Sequence, residues 1–403
     1  MENMENEAKI DEILDRGVAQ VYPNREFLKG KLLSGQKLSI YFGIDPTGPN
    51  LHIGHAVNLI KLRALQDLGH KIIILYGGFT AQIGDPTDKL ATRQPLSASQ
   101  IKKNTLTYKK SIGKILDLKN AQIRFLDNEK WSNKLKPKDL MDIASRFTVS
   151  QILERDMFQE RMKQGKDISL QEFLYPIFQA YDAVTMDVDV QLGGNDQTFN
   201  MLAGRTLMRK MKNKEKAVIS MRLLVDPSGK KMGKTEGNMV SLTDSPEEMF
   251  GKIMSWPDGM ILPAFELCTT ISLSEISRIK NEISGGANPR DSKMILGESI
   301  VEMYHGKAKS EKAKKNFLAT FSKGQAPEDI KEFKATAGSL LSDCLLTAGI
   351  VASKSEWRRL VGENAISSMA PDGTLTKILD FNFKVETPTV FKVGKHRFLK
   401  VTL

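Results

Sequence analysis

Ile72-Ile73-Ile74-Leu75-Tyr76 is an apolar run with no polar alternation. Successive side chains of a strand point to opposite faces, so a strand of this composition needs cover on both sides, as inside a parallel sheet flanked by helices. Upstream, Leu38-Ser39-Ile40-Tyr41-Phe42 is also strand-like and leads through the polar turn Asp45-Pro46-Thr47-Gly48-Pro49-Asn50 into a helical pattern. Val57, Ile60, Ala64 and Leu68 share one face of that helix and Gly69 ends it. Strand, helix and strand follow each other directly, which makes the opening of the chain an α/β domain with crossover helices.

The alternation continues from Lys37 to about Asp226, with β-rich stretches at Asp187 to Leu192 and Ala217 to Val225 completing the sheet, and a mostly helical insertion expected between about Asn120 and Asp187. The first domain is expected over 1–230. From Ser245 to roughly Ser322 the pattern is helical, Lys307 to Lys315 crowds five lysines into nine residues, and Gly324-Gln325-Ala326-Pro327 reads as a linker. A second, helical domain is expected over 231–325. The third, over 331–403, is expected to begin with helical patterns and end in short β segments around Lys392-Val393-Gly394 and Arg397 to Val401. Two or three cores suit a chain of 403 residues.

Composition excludes some functions and favours others. No apolar run approaches the roughly 18 residues of a spanning helix, so no membrane crossing is expected. The acidic, polar start Met1-Glu2-Asn3-Met4-Glu5-Asn6-Glu7 is unlike a secretory signal, and the protein is expected to stay in the cytoplasm. Cys268 and Cys344 are the only cysteines, too few for a four-cysteine zinc site, and no structural metal is expected. A net charge of +11 suits a polyanionic partner, although a basic surface by itself is compatible with many roles.

Two motifs carry the chemistry. His52-Ile53-Gly54-His55 stands where the first helix begins, so helix-start N–H groups, two imidazoles and the approachable backbone of Gly54 converge on a place where an α/β sheet binds ligands. Far downstream, Lys231-Met232-Gly233-Lys234-Thr235-Glu236-Gly237-Asn238 is a glycine-bearing loop whose lysines could close over polyphosphate. Neither a G-x-G dinucleotide fingerprint nor a G-x-x-x-x-G-K-[ST] phosphate loop occurs.

In this order, with a sheet domain between them, the pair resembles the HIGH and KMSKS signatures of class I aminoacyl-tRNA synthetases. The chain has Gly233 and Thr235 where the second motif more often has two serines, which bears on hydroxyl contacts and leaves both lysines in place. Within the class it is most similar to the bacterial-type tyrosine family, through Tyr41-Phe42-Gly43-Ile44-Asp45-Pro46-Thr47, Gly84-Asp85-Pro86, Gln179-Ala180-Tyr181-Asp182 and Gly193-Gly194-Asn195-Asp196-Gln197. The resemblance implies a Rossmann-like parallel-sheet catalytic domain, then an α-helical domain that reads the anticodon region, then a small α+β RNA-binding domain.

It also implies roles. Tyr41 and Asp182 would bond the hydroxyl of L-tyrosine, Asp85, Tyr175 and Gln179 its ammonium, and Gln197 its edge. Asp45, Thr47, Gly54, Gly194 and Asp196 would line the ATP site. His52, His55, Lys231 and Lys234, helped by Lys89 and Arg93, would stabilise charge on departing pyrophosphate, with magnesium on the phosphates. A pocket that pairs a hydroxyl rejects phenylalanine, because the buried polar groups would be left unmatched. The spacing of Tyr175, Gln179 and Asp182 puts them on one helix face, and Pro176 predicts a kink or a late start there.

The segment from Leu345 to Val361 resembles the RNA-binding domain shared by a ribosomal protein and the tail of bacterial tyrosyl enzymes. Ser353 or Ser355 would cap its helix, and Lys354, Arg358 and Arg359 would meet phosphates of tyrosine tRNA, with Trp357 in the core. Ala365 to Gly373 departs from that family's usual hairpin, while Gly394-Lys395-His396-Arg397-Phe398 fits its closing strands. The resemblance further implies a homodimer. Two rivals remain at this point, a tryptophanyl enzyme and a non-catalytic RNA-binding protein that keeps the synthetase frame.

Overall fold

Six strands form the sheet that the apolar runs foretell: β1 (Val18–Tyr22), β2 (Ser39–Ile44), β3 (Lys71–Tyr76), β4 (Ile123–Asp127), β5 (Val190–Gly194) and β6 (Ala217–Met221). The computed structural model describes residues 2–85, 97–231, 239–322, 330–370, 374–394 and 397–403. The spatial order is β1-β6-β5-β2-β3-β4, with β1 antiparallel to β6 and every other neighbour parallel. β3, β5 and β6 are buried almost throughout, as continuous apolar runs require.

Two strands depart from the expectation. β1 lies upstream of Lys37, and β4 lies inside the stretch expected to be helical. Both are edge strands covered only in part, so neither carries the uninterrupted apolar run that marks a central strand. The last β stretch is also shorter than expected, ending at Met221.

Alternate side chains of the central strands, Tyr41, Ile73 and Leu75, pack with Ile177, Ala180, Ala183 and Val184 of the helix Leu170–Met186 and with Ala203, Leu207 and Met208 of the helix Thr198–Lys212. The first of these helices starts at Leu170, well before Pro176, and is continuous to Met186, so the expected late start is not found. A Ser169–Glu172 capping box fixes its beginning, and Pro176 sits inside the helix without an N–H to donate.

The chain forms two compact units, 1–243 with Leu262–Asn281, and Asp244–Ile261 with 282–403. In the first, the Arg16 guanidinium donates to the carbonyls of Phe265, Glu266, Thr269 and Ile271 at 2.6–3.1 Å, satisfying the end of the helix Ile261–Cys268. In the second, the helices Pro246–Met254 and Pro289–His305 meet closely at Gly297, where an added Cβ would lie 3.1 Å from the Phe250 ring.

The end of the second unit has a five-stranded sheet in the order β10-β9-β12-β13-β7, from β7 (Lys331–Lys334), β9 (Ile366–Met369), β10 (Leu375–Lys377), β12 (Thr389–Val393) and β13 (Arg397–Thr402); β8 (Ser339–Leu340) and β11 (Lys384–Val385) pair separately. It opens on a strand, where a helical pattern was expected, because β7 is a largely exposed edge with one apolar residue, Phe333. Its core gathers Trp357, Leu360, Val361, Phe391, Leu399 and Val401. Among the described residues no helix is long and apolar enough to cross a membrane.

Candidate active site at the carboxyl ends of the central strands

From β2 the chain moves outward through β3 to β4 on one side, and through β5 to β6 on the other. The crevice at such a reversal lies beyond the carboxyl ends of the two diverging strands, here β2 and β5. Asp45 follows β2, and the short helical turn Asn195–Gln197 follows β5.

His52 caps the helix Ile53–Asp67. Its Nδ1 accepts from Gly54 N at 3.2 Å, and His55 Nδ1 accepts from His52 N at 3.3 Å. The rings lie 4.0 Å apart. Burial depresses the His52 imidazole to about 4 and pushes His55 well below the usual histidine range, with the neighbouring His52 adding to the latter. Both rings are neutral at physiological pH and accept at Nδ1, so each carries its proton on Nε2. This revises the expectation of free helix-start N–H groups: Ile53 N donates to Val240 O, Gly54 N to His52, and His55 N to His52 O. What the turn offers an anion is two Nε2–H donors.

The same turn receives the segment that follows the lysine motif. An antiparallel bridge joins His52 to Ser241, and Leu242 N donates to Leu51 O at 2.9 Å. The far end of the lysine loop is thereby sewn to the histidine turn. At its near end, Lys231 Nζ lies 2.6 Å from Asp196 Oδ2. Lys234 lies outside the described residues, as do Lys89 and Arg93.

Tyr41 and Asp182 are both buried, at 1% and 2% exposure. Asp182 Oδ1 accepts from Trp131 Nε1 at 2.7 Å and Oδ2 from Asn128 Nδ2 at 3.1 Å. Burial nevertheless raises its carboxyl to about 7, outweighing these two donors. The Tyr41 phenol is pushed well up, first by burial and then by the charge of Asp182, and its Oη has no hydrogen-bond partner among the described residues. A donor without a partner beside an ionisable carboxyl is an arrangement that a hydroxyl group, able to accept and donate at once, would complete.

Tyr175 is buried, and its Oη donates to Asp45 Oδ2 at 2.9 Å; Thr80 Oγ1 donates to Asp45 Oδ1 at 2.8 Å. The structure therefore joins Tyr175 to the carboxylate expected on the nucleotide side. Gln179 is half-buried on the same helix. Asp85 accepts from Gln197 Nε2 at 2.6 Å and from Arg155 Nη2 at 3.2 Å. Thr47 is exposed, its N–H closing a turn onto Asp45 O. Gly194 has an ordinary extended backbone, so its glycine serves space: an added Cβ would lie 2.6 Å from Asp196 Oδ1.

Five contributors escape a reading of motifs. Gly77 lets Asp45 close in, since a Cβ there would fall 1.8 Å from Asp45 Oδ1. Thr80, Asn128 and Trp131 hold the two carboxylates. Lys216, fully buried, donates to Gln191 Oε1 and to Met201 O, and its Nζ lies 5.7 Å from the Tyr41 ring centroid. The Gly77-Gly78 doublet after a strand was a visible signal; nothing in the sequence marks the others.

In the second unit Ser353 caps the helix Lys354–Gly362, accepting from Glu356 N. Lys354, Arg358 and Arg359 are exposed on it, Lys354 near Asp343 at 3.1 Å and Arg359 near Glu363 at 3.0 Å. Trp357 is buried and donates to Phe381 O. Lys395 and His396, and residues 371–373 of the divergent stretch, lie outside the described residues.

Residues 33–322 match the family model of class I tRNA synthetases for tryptophan and tyrosine. The chain is 42% identical over 393 residues to a tyrosine--tRNA ligase of Francisella tularensis, covering 97% of this chain and 98% of that one. It is 41% identical to a tyrosine--tRNA ligase 2 of Vibrio cholerae, covering 98% and 99%. Among solved structures, a C-terminally truncated mitochondrial tyrosyl-tRNA synthetase of Coccidioides posadasii superposes with a TM-score of 0.62 at 26% identity, over 78% of this chain and 94% of that one. A tyrosyl-tRNA synthetase of Aeropyrum pernix shares the fold at a TM-score of 0.60 and 21% identity, over 79% and 99%.

Proposed function

Because this chain belongs to the class I tRNA synthetases for tryptophan and tyrosine, we propose that it selects L-tyrosine between the Tyr41 phenol and the Asp182 carboxylate while joining it to tRNA. The reaction is tyrosine–tRNA ligation with ATP as a substrate. The observation that carries the pocket is the buried, unpartnered Tyr41 Oη beside a carboxyl that burial raises to about 7. The phenol of tyrosine would accept from Tyr41 and donate to Asp182, which Asn128 and Trp131 hold in place. Phenylalanine would leave both groups unmatched.

In the first step the amino acid's carboxylate oxygen attacks the α-phosphorus of ATP, and the bond to the pyrophosphate oxygen breaks. In the second, a hydroxyl of the tRNA's terminal ribose attacks the acyl carbon and AMP departs. No side-chain nucleophile is needed, so rate comes from positioning and from donors aimed at developing charge. The Nε2–H groups of His52 and His55 would bond the phosphates as neutral donors, Lys231 would leave Asp196 for them, and Asp196 would then take the ribose. Lys234, Lys89 and Arg93 complete this reading on the pyrophosphate, with magnesium entering on ATP. Asp85, Gln179 and Gln197 would hold the ammonium and substrate edge, and Tyr175 would steady Asp45, with Thr47, Gly54 and Gly194 forming the nucleotide-side wall.

The reading also assigns the helices of the second unit to the anticodon region and Lys354, Arg358 and Arg359 to tRNA phosphates, in a cytoplasmic homodimer. Met141, Val149 and Leu170, exposed at 69%, 69% and 77%, support a protein partner for the insertion. Tyrosine-dependent exchange of labelled pyrophosphate into ATP, with phenylalanine and tryptophan as controls, tests the central assignment. Exchange with tyrosine alone that Asp182→Ala abolishes is expected; equal exchange with tryptophan, or activity unchanged in the variant, would refute it.

A further inference from the structure

Arg155 belongs to no motif of the chain, yet its guanidinium reaches a carboxylate of the site. It stands at the start of the helix Asp156–Lys163, is 6% exposed, and donates through Nη2 to Asp85 Oδ1 at 3.2 Å. The other oxygen of Asp85 is taken by Gln197 Nε2. The rings of Phe158 and Phe199 lie 5.6 and 5.7 Å from the guanidinium carbon and hold the planar cation in place. A buried arginine on a carboxylate that faces a ligand does more than fix its rotamer, because it also sets the charge that the ligand meets.

We infer that Arg155 determines specificity for the main-chain end of the substrate, making this subsite neutral overall so that it admits an amino-acid zwitterion and disfavours a bare amine. The inference rests on the reading of Asp85 as the ammonium's partner. The charges of Arg155 and Asp85 cancel at a distance. An ammonium bound to Asp85 then feels the nearby positive guanidinium, which costs affinity unless the same ligand brings a carboxylate to offset it. At the low effective dielectric of a part-buried site, a unit charge a few ångströms away changes a cation's binding by about tenfold or more, while its effect on a zwitterion largely cancels. The aromatic pair holds the guanidinium in place, so the effect belongs to recognition and not to the chemical step.

Pyrophosphate exchange with the full-length protein tests this through three ligands that differ only at the main-chain end: tyrosine as substrate, tyramine as a cationic inhibitor, and 3-(4-hydroxyphenyl)propionate as an anionic one. In Arg155→Met, which removes the charge and keeps an apolar side chain, the inhibition constant of tyramine relative to the KM of tyrosine should fall about tenfold, and that of the propionate should rise about tenfold. Arg155→Lys should retain the wild-type ratios, and Arg155→Gln serves if the methionine variant does not accumulate. A common shift of all three ligands would mean that Arg155 only supports structure, and unchanged ratios would mean that it sets no charge; either result overturns the inference. Asp85→Asn separates the premise from the inference. If it weakens tyrosine and tyramine but spares the propionate while Arg155→Met leaves the ratios untouched, the inference alone fails. If it leaves tyramine binding unchanged, the reading of Asp85 fails first.

Discussion

The Asp182 carboxyl illustrates how burial sets chemistry at the scale of one residue. Two donors favour its ionised form and desolvation opposes them, leaving it near 7 in the free protein. Raised above the ordinary carboxylate range, it is protonated below that pH and then loses the charge that strengthens its bond from the substrate's hydroxyl. The value of kcat/KM for tyrosine is therefore expected to fall as pH drops below about 7, by up to tenfold per unit, while Asp182→Asn shows a low and flat profile over the same range. A wild-type profile flat from pH 5 to 8 would contradict this. His52 makes a different point, because one ring has two nitrogens: Nδ1 caps the helix, which leaves Nε2–H as the donor. Asparagine can keep the cap, so His52→Asn should change stability by no more than about 0.5 kcal/mol in thermal or chemical unfolding. It should lower the exchange rate by about a hundredfold, the usual loss for one donor to developing charge.

At the scale of elements, what matters is which backbone segments meet. The bridge between His52 and Ser241 and the pair Leu242–Leu51 bring the segment that follows the lysine motif onto the start of the helix Ile53–Asp67. The turn after β5 depends on close approach. In Gly194→Ala the new methyl group would lie 2.6 Å from Asp196 Oδ1 and 2.8 Å from Leu223 Cδ2, and one of them must move. Displacing Asp196 also disturbs the partner of Lys231, so ATP-dependent exchange is expected to fall about tenfold or more, with the KM for ATP affected before that for tyrosine. An unchanged KM for ATP would show that this turn does not serve the nucleotide.

At the scale of the whole molecule the proposed activation site and the basic helix Lys354–Gly362 belong to separate compact units. Their tasks should accordingly be separable. Replacing Lys354, Arg358 and Arg359 together by glutamate is expected to leave tyrosine-dependent exchange unchanged and to lower kcat/KM for tRNA charging about a hundredfold at low salt. The dependence of tRNA binding on salt should also become shallower, by about one logarithmic unit of slope for each phosphate that is no longer neutralised. Equal impairment in both assays would instead point to a folding defect.

The sequence by itself determined the sheet's central strands and marked the motifs that stand at their ends. Ile72 to Tyr76 and Leu38 to Phe42 can be buried on both faces only in a covered parallel sheet, and the histidine turn, Asp182 and the Gly193–Gln197 block sit at fixed distances from those strands. It missed β1 and β4, whose edge positions need no continuous apolar run, and of the kink or late start that Pro176 predicts, the late start is absent because the helix begins at Leu170. Only the tertiary structure decided that Tyr175 bonds Asp45, that the helix-start N–H groups are already engaged, and that Asn128, Trp131 and Arg155 hold the site's carboxylates. Those choices depend on distances between residues far apart in the chain. Local periodicity records which face of an element is covered, and it carries no information about which polar groups then fall within about 3 Å of one another.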